Sequence, residues 1–152
     1  MSNSKVHKIP FMQDYRLHSK IAVGLLFLMF FFPWFSNAGF PYYNGRDTLS
    51  GMNLVIVSSR IVSGAFVVFL PLIPLVALTI MTLIEEEFAV LRKFSAIGFV
   101  VSVAFAVYIA FRSPLPFGEW IGNLWFSYYA IIIIYAFLTY VCHRGTKADE
   151  VF

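Results

Sequence analysis

From Ile61 to Ile84 the chain runs through 24 residues without a charge, and nearly all are apolar. At ~1.5 Å per residue, a helix of that length exceeds the ~30 Å hydrocarbon core of a bilayer. Arg60 stands just before the run, Pro71 and Pro74 interrupt its middle, and Glu85, Glu86 and Glu87 close it. Three further apolar runs follow the same plan, at about 17–35, 94–111 and 120–141. The expected fold is an all-α integral membrane protein, a bundle of four transmembrane helices within a single domain over 17–142. Residues 1–16 form a basic amphipathic N-terminal segment, and 143–152 a short polar tail that frays.

Composition points the same way. The chain is 60% hydrophobic and 12% charged, whereas soluble proteins sit near ~45–50% and ~25%. The net charge of +3 comes from residues spread over both ends and the loops, which is the pattern of a topology signal and excludes a nucleic-acid footprint. With the N-terminus inside, Lys5, Lys8, Arg16, Lys20, Arg92, Lys93, Arg144 and Lys147 face the cytoplasm, and Arg46, Arg60 and Arg112 face outward. Eight against three obeys the positive-inside rule. Both termini are then cytoplasmic, and the expected location is a bacterial inner membrane. The single cysteine, Cys142, excludes an internal disulfide and a paired-cysteine redox motif.

Between the first two spans, Asn44-Gly45 stands between Tyr43 and Arg46. This pair favours a tight turn with positive φ, so the loop reads as a small β-hairpin or a compact equivalent. Phe40, Tyr42 and Tyr43 lie beside it. Their rings suit the headgroup level, and they are also candidates for an outer docking surface.

Two groups of residues invite a functional reading. The first is an outer polar cluster of Arg60, Arg112, Glu119 and Asn123. Arginine inside a span is costly enough to mark function, but Arg60 lies at the boundary, where its stem reaches water. It serves either as an anchor or as the partner of Glu119 in a site for an anionic headgroup. The second group lies mid-span. Pro71 and Pro74 each remove a backbone donor and free a carbonyl, at Val67 and Leu70. The commoner reading is a static kink, and the sharper one a hinge beside a ligand path. Gly98, Ser102 and Ala106 recur every four residues along the third span and make a ridge that another helix can approach closely. The kinked second span is the expected neighbour, with the Ser102 hydroxyl donating to a freed carbonyl. The acids Glu85 to Glu87 oppose the dipole of the helix they end, so they pair with Arg92, Lys93 or the basic N-terminal segment.

The chain has no HExxH, GxSxG, P-loop or glycine-rich dinucleotide turn, and no carboxylate within a span. His7, His18 and His143 lack ligand spacing. The expectation is a non-enzymatic protein without cofactor or metal, surrounded by lipid and acting as a subunit or assembly factor for other membrane proteins or copies of itself. A binder of lipid or of a small hydrophobic ligand, or a transporter component, is the alternative.

Overall fold

A computed structural model describes residues 10–36, 48–51, 70–112, 121 and 124–149. Four helices pack together: α1 (Pro10–Met29), α2 (Leu72–Leu83), α3 (Phe88–Arg112) and α4 (Phe126–Asp149). Two short strands, β1 (Pro33–Ser36) and β2 (Thr48–Ser50), lie between α1 and α2 in sequence. Each helix packs on the next and α4 returns to α1, so the four stand around a common core.

α1 is one continuous helix, where a separate surface segment and a span were expected. Pro10 opens it, a position at which the missing N–H costs nothing. It ends at Met29, short of the expected Phe35. Phe30, Phe31 and Phe32 make tight turn bonds back to Phe27, Leu28 and Met29. Pro33 then supplies no donor and disfavours a helical Phe32. The chain turns into β1, which pairs antiparallel with β2 through Phe35 opposite Leu49 and Ser36 opposite Thr48. Strands therefore flank the Asn44-Gly45 loop, and the loop itself lies outside the described residues.

Among the described residues two helices, not four, are long and apolar enough to cross a membrane: Phe88–Tyr108, with mean hydropathy 1.8, and Phe126–Lys147, with 1.5. α1 fails because Asp14, Arg16 and Lys20 occupy its first half. α2 has 12 residues, and the preceding residues 52–69 are outside the described set. The other boundaries also differ. α3 begins six residues before the expected Phe94, and α4 runs through the expected polar tail as far as Asp149.

The core explains these extensions. Along α3 one run of buried positions is Phe88, Leu91, Ser95, Gly98, Ser102 and Phe105, with Ala106 and Ala110 buried beside it. Along α4 the corresponding run is Tyr128, Ile131, Tyr135, Leu138, Cys142 and Gly145, with Ser127 and Val141 buried beside it. Intervals alternate between three and four, the repeat that brings two helices together along a left-handed seam. Phe88 packs over Gly145, where an added Cβ would fall 2.8 Å from the ring. Burying that ring keeps both helices wound past the apolar stretches.

Candidate functional site

Among the described residues α4 meets the ridge of small residues on α3 at Gly98 and Ser102, while Ser102 also shares a cavity wall with Pro71 and Leu75 of the second span, the expected neighbour. A Cβ at Gly98 would meet three ring atoms of Tyr135 within 2.7 Å. One turn on, the Tyr128 hydroxyl donates to the Ser102 carbonyl at 2.6 Å. Towards the other end of the seam, the Thr139 and Ser95 hydroxyl oxygens lie 3.0 Å apart, Thr139 donates to the Tyr135 carbonyl at 2.8 Å, and Ser95 donates to the Arg92 carbonyl at 2.9 Å. Arg92 donates to His143 Nδ1 at 3.0 Å. Since a guanidinium only donates, His143 accepts at Nδ1 and carries its proton on Nε2. Ala106 is buried next to Phe105 on the same helix.

Pro71 and Pro74 stand at the start of α2. Pro71 is its N-cap and Pro74 its third residue, positions whose N–H groups have no partner within a helix in any case. A helix that begins there loses nothing to either ring. The expected acceptor Val67 is outside the described residues. Pro71 and Ser102 nevertheless lie at one level, on the wall of a central cavity of ≈ 10 Å³ with Leu26, Phe30, Trp34, Tyr128 and Tyr135. That volume is about the least that holds one water.

Above this cavity, aromatic rings tie β1 to the bundle. Trp34 Nε1 donates to the Met29 carbonyl at 3.0 Å, capping the end of α1. Its ring meets Phe30 at 5.4 Å and Tyr128 at 5.5 Å, both edge-to-face. The Trp125 N–H donates to the Trp34 carbonyl at 3.0 Å, and Ser127 Oγ donates to the carbonyl of Pro33.

At the opposite end, the link between α2 and α3 is clasped by α1. The Glu86 N–H reaches back to the Met81 carbonyl at 3.0 Å, and Glu85 sits between them with φ of 57°. This is the left-handed close of a helix that usually takes glycine. Arg16 Nη1 donates to the Glu85 carbonyl at 3.0 Å, and Arg16 Cζ lies 5.0 Å from the centre of the Phe88 ring. Lys20 Nζ meets Glu85 Oε1 at 2.6 Å. The hydrogen bond from Lys20, reinforced by its charge, holds the Glu85 carboxyl below its ordinary value. Of the partners expected for the three acids, the N-terminal segment is the one that binds Glu85.

Arg60, Glu119, Asn123, Phe40, Tyr42 and Tyr43 lie outside the described residues, as does the side chain of Arg112. Among the described residues, no three His, Cys, Asp or Glu side chains converge. Sequence reasoning missed Tyr128, Tyr135 and Trp34, which shape the centre. The two tyrosines stand seven residues apart on the repeat of buried positions, and that spacing was the available signal. Comparisons with protein-family models, curated proteins and solved structures find no match to this chain.

Proposed function

We propose that this chain is a four-span membrane protein with no catalytic role, a subunit or assembly factor that packs against other membrane proteins. One observation carries the reading: the described surface is apolar, while several hydroxyls are buried within the apolar core. Ile73, Leu83, Val100, Phe111 and Ile133 point outward, with Leu83 76% and Phe111 85% exposed. Ser19, Thr82, Ser95, Ser102 and Ser127 are buried. Lipid solvates such an exterior, and inward hydroxyls bonded to carbonyls, as those of Ser19, Ser95 and Ser127 are, suit helices packed in a bilayer. In this reading α1, α2 with the apolar residues before it in sequence, α3 and α4 each cross a bacterial inner membrane, with both termini cytoplasmic. The outer cluster of Arg60, Arg112, Glu119 and Asn123 then lies at the far interface, beside the docking residues Phe40, Tyr42 and Tyr43.

The second reading, a binder of lipid or of a small hydrophobic ligand, is favoured by an open apolar groove between α1 and α2, lined by Phe27, Phe31, Val76 and Thr79. Native mass spectrometry of the chain purified from its own membrane separates the two. A protein retained in fixed stoichiometry supports the subunit reading. A solitary chain carrying one lipid or hydrophobic molecule supports the binder.

A further inference from the structure

One charged side chain on the α3–α4 seam is left without a counter-charge. Arg92 stands at the fifth position of α3, near the positive end of the helix dipole, where a cation is disfavoured. Its guanidinium has five N–H donors, and its side-chain partner is the His143 imidazole, 3.0 Å from Nη1. Because Nδ1 accepts that bond, the ring is neutral and leaves the charge of Arg92 unbalanced. Among the described residues the one ion pair joins Lys20 to Glu85, so no carboxylate serves Arg92.

The pair is held in place across the seam. Ser95 Oγ donates to the Arg92 carbonyl at 2.9 Å, and Thr139 Oγ1 lies 3.0 Å from Ser95 Oγ. These contacts set the turn of α3 that carries Arg92 against the turn of α4 that leads to His143. Both side chains are half-buried, so the cation is partly desolvated yet within reach of a ligand. A charge in that position is costly unless an opposite one meets it. Lys93, Arg144 and Lys147 are exposed on the adjoining turns, and they repel any ligand with a cationic end. Phosphate suits what remains, because a guanidinium gives it two parallel bonds and an imidazole N–H a third.

We infer that Arg92 and His143 form a phosphate site at this end of the seam, with an anionic phospholipid as its source. The phosphate accepts from the free guanidinium N–H groups and from His143 Nε2–H. Lys147, four residues beyond His143 on the same side of α4, adds charge. The site goes beyond the subunit reading, and its lipid source rests on the membrane reading. There this end of the seam meets the cytoplasmic headgroups, where basic pockets between helices bind anionic lipids.

The test uses the full chain in a non-ionic, phosphate-free detergent, incubated with phosphatidylglycerol, phosphatidylcholine or inorganic phosphate and read by native mass spectrometry. One phosphatidylglycerol per chain is expected, in preference to phosphatidylcholine, whose cationic end would meet Lys93, Arg144 and Lys147. Arg92→Gln should lower retention roughly ten- to a hundredfold, the worth of a charge-assisted bond. Lys93→Gln removes an exposed charge and should lower it less than about fivefold. His143→Asn and His143→Asp both set an oxygen where Nδ1 stood. Asn leaves Arg92 unbalanced and should lower retention less than about tenfold, the worth of the one bond from Nε2. Asp balances Arg92, so it should expel the lipid and raise the melting temperature in lipid-free detergent. Inorganic phosphate held in place of the lipid, with the same response to these variants, upholds the site and makes a soluble ion its source. The inference is overturned if neither probe is held, if Lys93→Gln costs as much as Arg92→Gln, or if the Asn and Asp variants retain the probe equally. Alkaline extraction of the chain from vesicles tests the membrane reading separately. Release there overturns that reading and the lipid source, while the phosphate arm still decides the site.

Discussion

The ring of Tyr135 occupies the space that any side chain at Gly98 would need, with three of its atoms within 2.7 Å of a Cβ placed there. Gly98→Ala must therefore push α4 away from α3 or turn the ring off its rotamer. The expected cost is about 1–3 kcal/mol, the range for overpacked interiors. Thermal unfolding in detergent measures it. Tyr135→Ala should make the same glycine substitution nearly harmless, so a double-mutant cycle should show strong coupling between the two positions.

One turn along the seam, Tyr128 and Ser102 are joined through a backbone acceptor, so the two side chains contribute separately. Tyr128→Phe loses the 2.6 Å bond and should cost about 0.5–1.5 kcal/mol. Ser102→Ala keeps that acceptor and should be milder, near the ~0.6 kcal/mol typical of hydroxyls between membrane helices. Ser102→Leu should be far worse than either, because Ser102 is 1% exposed and faces both α4 and the central cavity. Melting temperatures should fall from Ser102→Ala through Tyr128→Phe to Ser102→Leu.

Much of this seam was legible. The small residues at 98, 102 and 106 announce a close helix approach, and α3 and α4 meet along it. The period told only part of the face. Steps of four from Gly98 lead to Ala106 and Ala110, which are buried as well, but they leave out Phe88, Leu91, Ser95 and Phe105, which alternating steps of three and four reach. That alternation also continues into stretches whose charges look like flanks, so Arg92 and His143 read as membrane edges although they bond each other across the packed seam. The strands beside Asn44-Gly45 were legible from turn chemistry, and the end of α1 was signalled by Pro33. That the buried hydroxyl of Thr82 has no partner was not legible, because the rotamer of a threonine is decided by its neighbours and leaves no mark in a sequence.

Glu85 offers a contrast between backbone and side chain. At φ 57° its backbone favours glycine, and its carboxylate holds Lys20. Glu85→Ala keeps the strain and loses the pair, so it should lower the melting temperature at neutral pH. Glu85→Gly loses the pair but relieves the strain, so it should melt above Glu85→Ala. Equal melting of the two variants would remove the backbone from the explanation.

The same residue sets a pH dependence. Lys20 lowers the carboxyl of Glu85 from its ordinary 4.5 in the folded chain. A depressed acid contributes stability that is present above its unfolded value and is lost as pH falls through the folded one. Melting temperature should therefore decline below about pH 4.5. That part of the decline should be absent in Glu85→Gln, and a pH series of melting curves on both proteins checks it.

The central claim is that four helices cross one membrane in alternating directions. Reporters that distinguish the two sides, placed at residue 1, Gly45, Glu87, Pro116 and residue 152, measure this directly. The account predicts cytoplasm for residue 1, Glu87 and residue 152, and exterior for Gly45 and Pro116. Gly45 and Glu87 on the same side would mean that α2 and the apolar residues before it do not cross, and would contradict the four-span bundle.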